Sequence, residues 1–426
     1  MAQKRKKRKS NKQLPIFLLS LVLILVIGLI VLYFFNPEIY AKLFKINNDS
    51  KKTEINTNVG VVYDDFQIHF MTLGNDKAGD SIYIKAGDND ILIDAGSRSN
   101  SSETTIAYMD QYIKDAKLEY VIATHGDQDH IEAFPKILDH YSAEVIINNK
   151  YTNKTSQAYK KMIESFDKQV STNNAKHFTA DECFDNKNGA KRQYKLSDKV
   201  TMDIIYNYYY WNNSSDENNY SVCTMFTYSQ SSGDKHFLLT GDLEKEGETK
   251  LVEYYDSSTS EKTLPEMDLY KAGHHGSKTS SNKNFLSLIK PKMCVVSCCC
   301  GTDEYTGVTE NQFPTQDFIN RIAKWTDEVY VTSIYESFDI VTAKDNGSGK
   351  SDKTGVQIGK NYIHSKGRKD MNGNVIVSCS NKDNQVLIGL ACSNNTIKLK
   401  DSEWMNTKII LDGQERLVRT MPKEWQ

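Results

Sequence analysis

Past residue 60 the chain alternates between short apolar runs and longer amphipathic stretches, and several apolar runs empty into polar loops. Phe66-Gln67-Ile68-His69-Phe70 repeats with period two, as a half-buried strand does. Ser81–Ile84, Ile91–Asp94, Leu118–Ala123 and Val145–Ile147 are further runs of strand length. Between them Ser102–Ala116 sets Ile106, Met109 and Ile113 on one helical face, and Ile131–Leu138 reads as a short helix interrupted at Pro135. Tyr151–Ser171 is amphipathic and predicts a helix, whereas 172–192 is polar and predicts irregular chain. Val200–Tyr210, Tyr220–Tyr228 and His236–Thr240 follow as strands, the last two closed into a hairpin at Ser231-Ser232-Gly233-Asp234. A charged helix at Glu244–Tyr255 leads to strands at Met267–Ala272, Met293–Cys298 and Glu328–Thr332, with helices at Phe285–Ile289 and Phe318–Lys324 between them. Residues 341–371, rich in Gly, Lys, Asp and Ser, read as an exposed insertion before a final hairpin of Val375–Cys379 and Val386–Cys392. Strand–helix–strand order predicts an α/β layered domain over 58–392, followed by an extension, 393–426, with two short strands at most.

The loops at the strand ends carry the chemistry. Val121-Ile122-Ala123-Thr124 runs into His125-Gly126-Asp127-Gln128-Asp129-His130, four metal-binding side chains within six residues. His125 and Asp127 are two apart and share a side of an extended loop, while Asp129 and His130 point differently and suit a second ion. Mixed imidazole and carboxylate ligands fit zinc or manganese better than a thiolate site does. Gly241-Asp242 ends another apolar strand, and its two carboxylate oxygens could bridge two cations. Gly273-His274-His275-Gly276-Ser277 is a third delivery. Adjacent side chains of an extended segment diverge, so one histidine is the main ligand. We favour His274, with His275 behind it or beside the substrate. Asp94, at the end of its own strand, is placed to accept a hydrogen bond from a ligand imidazole and so fix its tautomer. The hydroxyl of Ser277 suits either a phosphate oxygen or the turn itself. His177 and His140 are assigned no role.

The amino end differs in kind. Residues 1–13 hold seven Lys or Arg, and Leu14–Phe35 is then 22 residues without a charge. That length spans a bilayer as a helix, which predicts an uncleaved signal anchor, a stalk over 36–57, a cytoplasmic amino end and an extracellular domain at the cell membrane. Without those seven residues 46 basic side chains face 55 acidic ones, so the domain has no general attraction for polyanions. Eight cysteines fit no zinc knuckle; buried free thiols are the plain reading, and a Cys379–Cys392 disulfide across the last hairpin is the alternative. No internal repeat and no nucleotide-binding glycine loop is found.

Asp94, His125 to His130, Gly241-Asp242 and His274-His275-Gly276-Ser277, in that order at strand ends, resemble the metallo-β-lactamase superfamily. The more specific resemblance is to the hydrolase domain of ComEC/Rec2-type competence proteins and their stand-alone relatives. Asp127 stands where most of the superfamily has a second histidine, and Gly79-Asp80-Ser81 and Asn219-Tyr220-Ser221-Val222 are also forms of that branch. The resemblance implies a four-layer αβ/βα fold and a pair of divalent ions, zinc or manganese. It implies His125, Asp127, Asp129, His130, Asp242 and His274 as ligands, Asp94 as support, and Asp129, Asp242 and His275 nearest the chemistry. Phe313-Pro314 departs from the His-Pro of many relatives, and the many membrane helices of a competence channel are absent.

Two such cations lower the pKa of a shared water and neutralise charge on an oxygen in transit. The extra carboxylate at Asp127 makes one site harder and favours a phosphodiesterase or nuclease. Hydrolysis of a small ester, cell-wall or lactam substrate is the alternative, and a non-catalytic binding module the third reading. The partners this predicts are the membrane, through the amino-terminal helix, and DNA or another phosphodiester. No protein partner can be read from the sequence.

Overall fold

The architecture follows from strands whose two faces bury different cores. A computed structural model describes residues 65–256, 263–302, 304, 311–342, 357–358, 361–382, 385–411, 414–417 and 419–426. Strands β1 (Phe66–Phe70), β2 (Ile82–Ala86), β3 (Asn89–Ile93), β4 (Lys117–Ile122), β5 (Ser142–Asn148) and β6 (Lys176–Thr179) make most of the first sheet. Strands β7 (Gln193–Lys195), β8 (Val200–Ile204), β9 (Thr224–Tyr228), β10 (Lys235–Leu239), β11 (Leu269–Lys271), β12 (Cys294–Cys300), β13 (Val329–Thr342), β14 (Gln357–Ile358) and β15 (Asn361–Asp370) make the second. The chain then returns to the first sheet with β16 (Val375–Lys382) and β17 (Gln385–Cys392), which lie beside β1. The runs β3–β4–β5–β6 and β10–β11–β12–β13 are parallel, so the carboxyl ends of each run open on one edge.

Helices cover both outer faces. On the first sheet lie α1 (Ser101–Met109), α2 (Gln128–Ile131), α3 (Phe134–His140) and α4 (Gln157–Asn173), packed on Leu92, Leu118, Val121 and Ile146. Helix α4 is capped by the Ser156 hydroxyl, which accepts from the Tyr159 N–H, and stops at Asn174 in the left-handed conformation. It buries Met162, Ser165, Phe166 and Gln169, one helical stripe. A short helix α5 (Ala180–Asp185) follows β6. Helices α6 (Lys245–Tyr255), α7 (Lys283–Ile289) and α8 (Gln316–Ile322) cover the second sheet, where the carboxyl-terminal Trp404, Met405 and Trp425 join their core. Between the sheets Phe66 meets Phe226 and Phe237 at ring distances of 5.9 and 5.2 Å. The result is a two-sheet αβ/βα sandwich with three apolar layers.

Several expectations change. No helix among the described residues is long and apolar enough to cross a membrane. The longest of them, α4, has 17 residues with charges throughout, about 26 Å against the roughly 30 Å of a hydrocarbon core. The single-pass anchor, membrane contact and extracellular placement predicted above therefore have no support in the structure; Leu14–Phe35 itself lies outside the described residues. The stretch read as irregular chain contains β6 and α5: with Phe178 its only buried residue, β6 is an edge strand too short to show a period. The insertion read at 341–371 is, where described, a ladder between β13 and β15 that runs from Ser333↔Asp370 to Thr342↔Asn361. No disulfide joins Cys379 to Cys392: the register sets Cys379 against Ile388 and Cys392 against Val375, and all eight cysteines are buried free thiols.

One buried acid ties the helical layer to the loop after β11. Glu248 of α6 accepts from the Ser281 and Asn282 N–H groups at 2.6 and 2.8 Å and from the Asn282 side-chain amide at 2.6 Å. Burial pushes its carboxyl up to about 7, against the pull of those donors. The folded state therefore keeps a proton that the unfolded chain, near 4.5, releases first. Stability from this group is full below that lower value and is lost as pH rises through about 7. Denaturant titrations between pH 4.5 and 7.5 are expected to show wild type losing up to roughly 3 kcal/mol relative to Glu248→Gln, whose amide cannot ionise.

Candidate metal centre

The centre sits where the open carboxyl edges of the two parallel runs meet. Strand β3 ends on Asp94, whose φ of 59° lies in the left-handed region. That conformation aims its carboxylate back at the end of β4. There it accepts from the Thr124 N–H at 2.8 Å, the Thr124 hydroxyl at 2.7 Å and His130 Nδ1 at 2.7 Å. Since the Thr124 hydroxyl gives its proton to Asp94, it accepts from His125 Nδ1 at 3.0 Å. His275 Nδ1 donates to the Ser297 carbonyl at 2.9 Å. Each of the three imidazoles thus spends its Nδ1 proton outward and presents Nε2 inward. All three Nε2 atoms are buried and have no hydrogen-bond partner.

Those nitrogens face carboxylates. Asp242 Oδ2 lies 3.1 Å from His130 Nε2 and 3.2 Å from His275 Nε2, and Asp129 Oδ2 lies 3.3 Å from His275 Nε2. Asp129, His130, Asp242 and His275 each bring a ligand atom within 4.8 Å of the others, as do Asp80, Asp94 and His130. In the second group Asp94 already takes the His130 proton and Lys271 pairs with Asp80, so we read it as the scaffold of the first. On the far flank of His130 the His125 ring stands 4.3 Å away, centre to centre, and its Nε2 is 3.6 Å from Asp127 Oδ2. Buried imidazole nitrogens without partners, among carboxylates, are the donor set a pair of divalent ions requires.

The charges say the same. Burial alone would lower the His130 pKa, but Asp242 and Asp94 outweigh it and hold the ring well above its ordinary value. Burial likewise opposes Asp242 and its neighbours at His275, and the carboxylates win, lifting it to about 10. Asp242 and Asp129 sit well below the ordinary carboxylate range despite burial, held by His130 and His275. A site that gathers protons this strongly on Nε2 offers the same field to a dication.

The structure places the residues singled out in the sequence unevenly. His125, Asp127, Asp129, His130 and Asp242 come together, with Asp94 behind them. His274 does not face them. His274 and His275 have φ of 46° and 51°, so the segment is a left-handed turn rather than extended chain, and the turn sends His275 inward. His274 Nδ1 faces Glu244 Oε1 at 3.0 Å and Thr279 Oγ1 at 3.3 Å. The Ser277 hydroxyl is held by Thr279 at 2.8 Å and accepts from its N–H, which makes Ser277 a turn residue. Phe313 packs on both His274 and His275, with ring centres 5.5 and 5.8 Å away. His177 is occupied by Asn148.

Two residues were missed. Asp80 and Lys271 are both buried and paired beneath the centre. The signal for Asp80 was Gly79, whose φ of 156° and contact with the Asp129 carbonyl leave no room for a Cβ: one would stand 2.5 Å from that oxygen. The signal for Lys271 was a lone lysine within an otherwise apolar strand.

Comparison with known proteins agrees with this geometry. The family model described as the metallo-beta-lactamase superfamily matches residues 74–202, the stretch that supplies Asp80, Asp94 and His125 to His130. Over that stretch the chain is similar to the metallo-β-lactamase superfamily. Within it, the ComE operon protein 3 of Bacillus subtilis is 26% identical over 181 residues, which are 42% of this chain and 20% of that protein. The match thus spans about a fifth of the relative's length, in line with the ComEC/Rec2-type resemblance. Among solved structures, the metallo-β-lactamase fold protein YhfI of Bacillus subtilis is 11% identical, covering 64% of this chain and 98% of its own, with a TM-score of 0.34. Human tRNase Z, short form, is 14% identical, covering 54% and 91%, with a TM-score of 0.29.

From this donor set we expect the domain, reconstituted and desalted, to retain close to two zinc or manganese ions by elemental analysis. Asp94→Asn is expected to weaken retention by about 10- to 100-fold in chelator competition, because it frees two imidazoles rather than removing a ligand. Metal-free wild type after reconstitution with either ion would reject the centre.

Proposed function

We propose that this chain is a metal-dependent hydrolase acting on phosphodiesters. The observation that carries the hydrolase reading is the convergence of the partnerless Nε2 atoms of His130 and His275 on the carboxylates of Asp129 and Asp242, with the partnerless Nε2 of His125 facing Asp127 beside them. His125, Asp127, Asp129, His130, Asp242 and His275 would hold the ions. Bound there, two divalent ions would acidify water and neutralise charge on the substrate's oxygens.

The chain's own residues supply the rest. Asp94 and Ser297 fix the imidazole tautomers, and burial of Asp242 and His275 keeps bulk water from competing. The open flank is at Asp127 and Asp129, which are partly exposed, and Lys154 stands there with its ammonium on Asp127. Its charge is reinforced by Asp127, Glu217 and Asp129, which outweigh the cost of its partial burial. An aspartate at position 127 makes the ion site harder, which suits phosphate oxygens, and Lys154 adds a cation at the mouth; for these two reasons we place phosphodiesters ahead of lactams. The wall formed by Phe313 suits the apolar part of a small ester and supports that as the second reading.

The test is hydrolysis of bis-p-nitrophenyl phosphate, with a chromogenic lactam and a phosphocholine ester in parallel, each with zinc and with manganese. Asp242→Asn is expected to lower turnover at least ~100-fold, the scale of removing one strong electrostatic contact at a reacting centre. Lys154→Ala is expected to raise KM about 10-fold with kcat nearly unchanged, as loss of one charge-assisted contact to a bound anion does. Metal-loaded enzyme that cleaves the lactam or the choline ester and no diester would overturn the phosphodiester assignment and leave the hydrolase.

A further inference from the structure

Beneath the centre lies a fully buried ammonium that none of the chemistry above uses. Lys271 closes β11 beside the end of β10, its parallel neighbour. Its Nζ meets Asp80 Oδ2, lies 3.3 Å from Asp242 Oδ1 and donates to the Gly241 carbonyl at 3.0 Å. An ammonium has three N–H bonds, and these three acceptors use them all. The acceptors come from both halves of the sandwich: Asp80 leads into β2 of the first sheet, and Gly241-Asp242 follow β10 of the second. Lys271 therefore clasps the two sheets at the floor of the centre.

The clasp has a consequence for Asp242. With Oδ1 held by Lys271, only Oδ2 points at His130 Nε2 and His275 Nε2. The sequence reading gave Asp242 both oxygens for the ions; the structure leaves one. Asp80 and Asp242 are both buried, and the single ammonium of Lys271 lies between them.

We propose that Lys271 is a positioning residue of the metal centre, which turns Asp242 so that a single oxygen serves the ions. The proposal rests on reading the centre as a two-ion site, and the experiment separates the two. Wild type, Lys271→Met, Asp80→Asn and Lys271→Met/Asp80→Asn are loaded with cobalt, and affinity is measured by chelator competition alongside the visible absorption bands. Circular dichroism confirms the fold of each. Wild type is expected to take up two ions. Lys271→Met is expected to hold the weaker ion at least ~10-fold less tightly, with altered cobalt bands, the scale seen when a group supporting a ligand is lost. Asp80→Asn keeps the contact from Lys271 to Asp242 and is expected to bind close to wild type. The double variant removes both members of the buried pair, so its stability should recover while its ion affinity and cobalt bands stay those of Lys271→Met. If Lys271→Met does not fold, the double variant decides. Wild-type affinity and bands in either Lys271 variant would overturn the proposal and leave the centre intact. A larger loss in Asp80→Asn than in Lys271→Met would overturn it in favour of Asp80 as a direct ligand. No cobalt in wild type would remove the centre itself, and the role of Lys271 with it.

Discussion

The carboxylate of Asp94 is the constraint on which the site depends. Three donors converge on it: the Thr124 N–H, the Thr124 hydroxyl and His130 Nδ1. Through the Thr124 hydroxyl it also sets the tautomer of His125. One buried anion thus decides which nitrogen two separate imidazoles present. Its left-handed backbone is unfavourable for any residue but glycine, and least so for Asp and Asn. The fold tolerates it because its neighbours are pinned: the Asp94 N–H bonds to the Ile122 carbonyl and the Ala95 N–H to the His130 carbonyl. The strain sits where the chain must reverse direction to bring a carboxylate behind the ligand loop, which is where such strain is usually stored.

What the sequence made legible was whatever is set by local period and by position at a strand end. The strands around Ile91, Val121 and Leu238 lie within apolar runs bounded by Gly or charge, and the structure has strands there. His125, Asp127, Asp129, His130 and Asp242 could be picked out because each follows such a run directly. Less legible were elements whose burial depends on distant partners. Strand β6 is an edge strand that only β5 explains. The long ladder of β13 and β15 is polar enough to read as loop, and its pairing is not a property of either segment alone.

The histidine pair shows the limit most clearly. Choosing His274 over His275 required the backbone conformation of Gly273–Gly276, and the choice assumed extended chain. Two consecutive left-handed residues reverse the geometry. The glycines on either side were the available hint, and Gly276 at φ 76° packs too closely on Pro314 for any side chain, at 2.7 Å from where a Cβ would stand. A tight turn at that spot rotates the second histidine inward and leaves the first to Glu244, whose carboxyl is held down to about 2 despite burial, by His274 and Thr279.

Lys271 was illegible for a different reason. In a sequence a lysine in a strand counts against burial, because an unpaired ammonium in an apolar interior is costly. Burial becomes acceptable only when the acceptors are supplied, and here they come from 191 residues upstream at Asp80 and from the neighbouring strand end at Asp242. Neither is close in sequence, so no local pattern marks the trio. The same logic explains why the metal-binding loops look complete when read alone. A ligand loop shows which atoms can bind an ion, whereas the charge that makes Asp80 and Asp242 tolerable together in a buried place must come from elsewhere in the fold. In this chain it comes from a strand whose sequence otherwise says only that it belongs in the core.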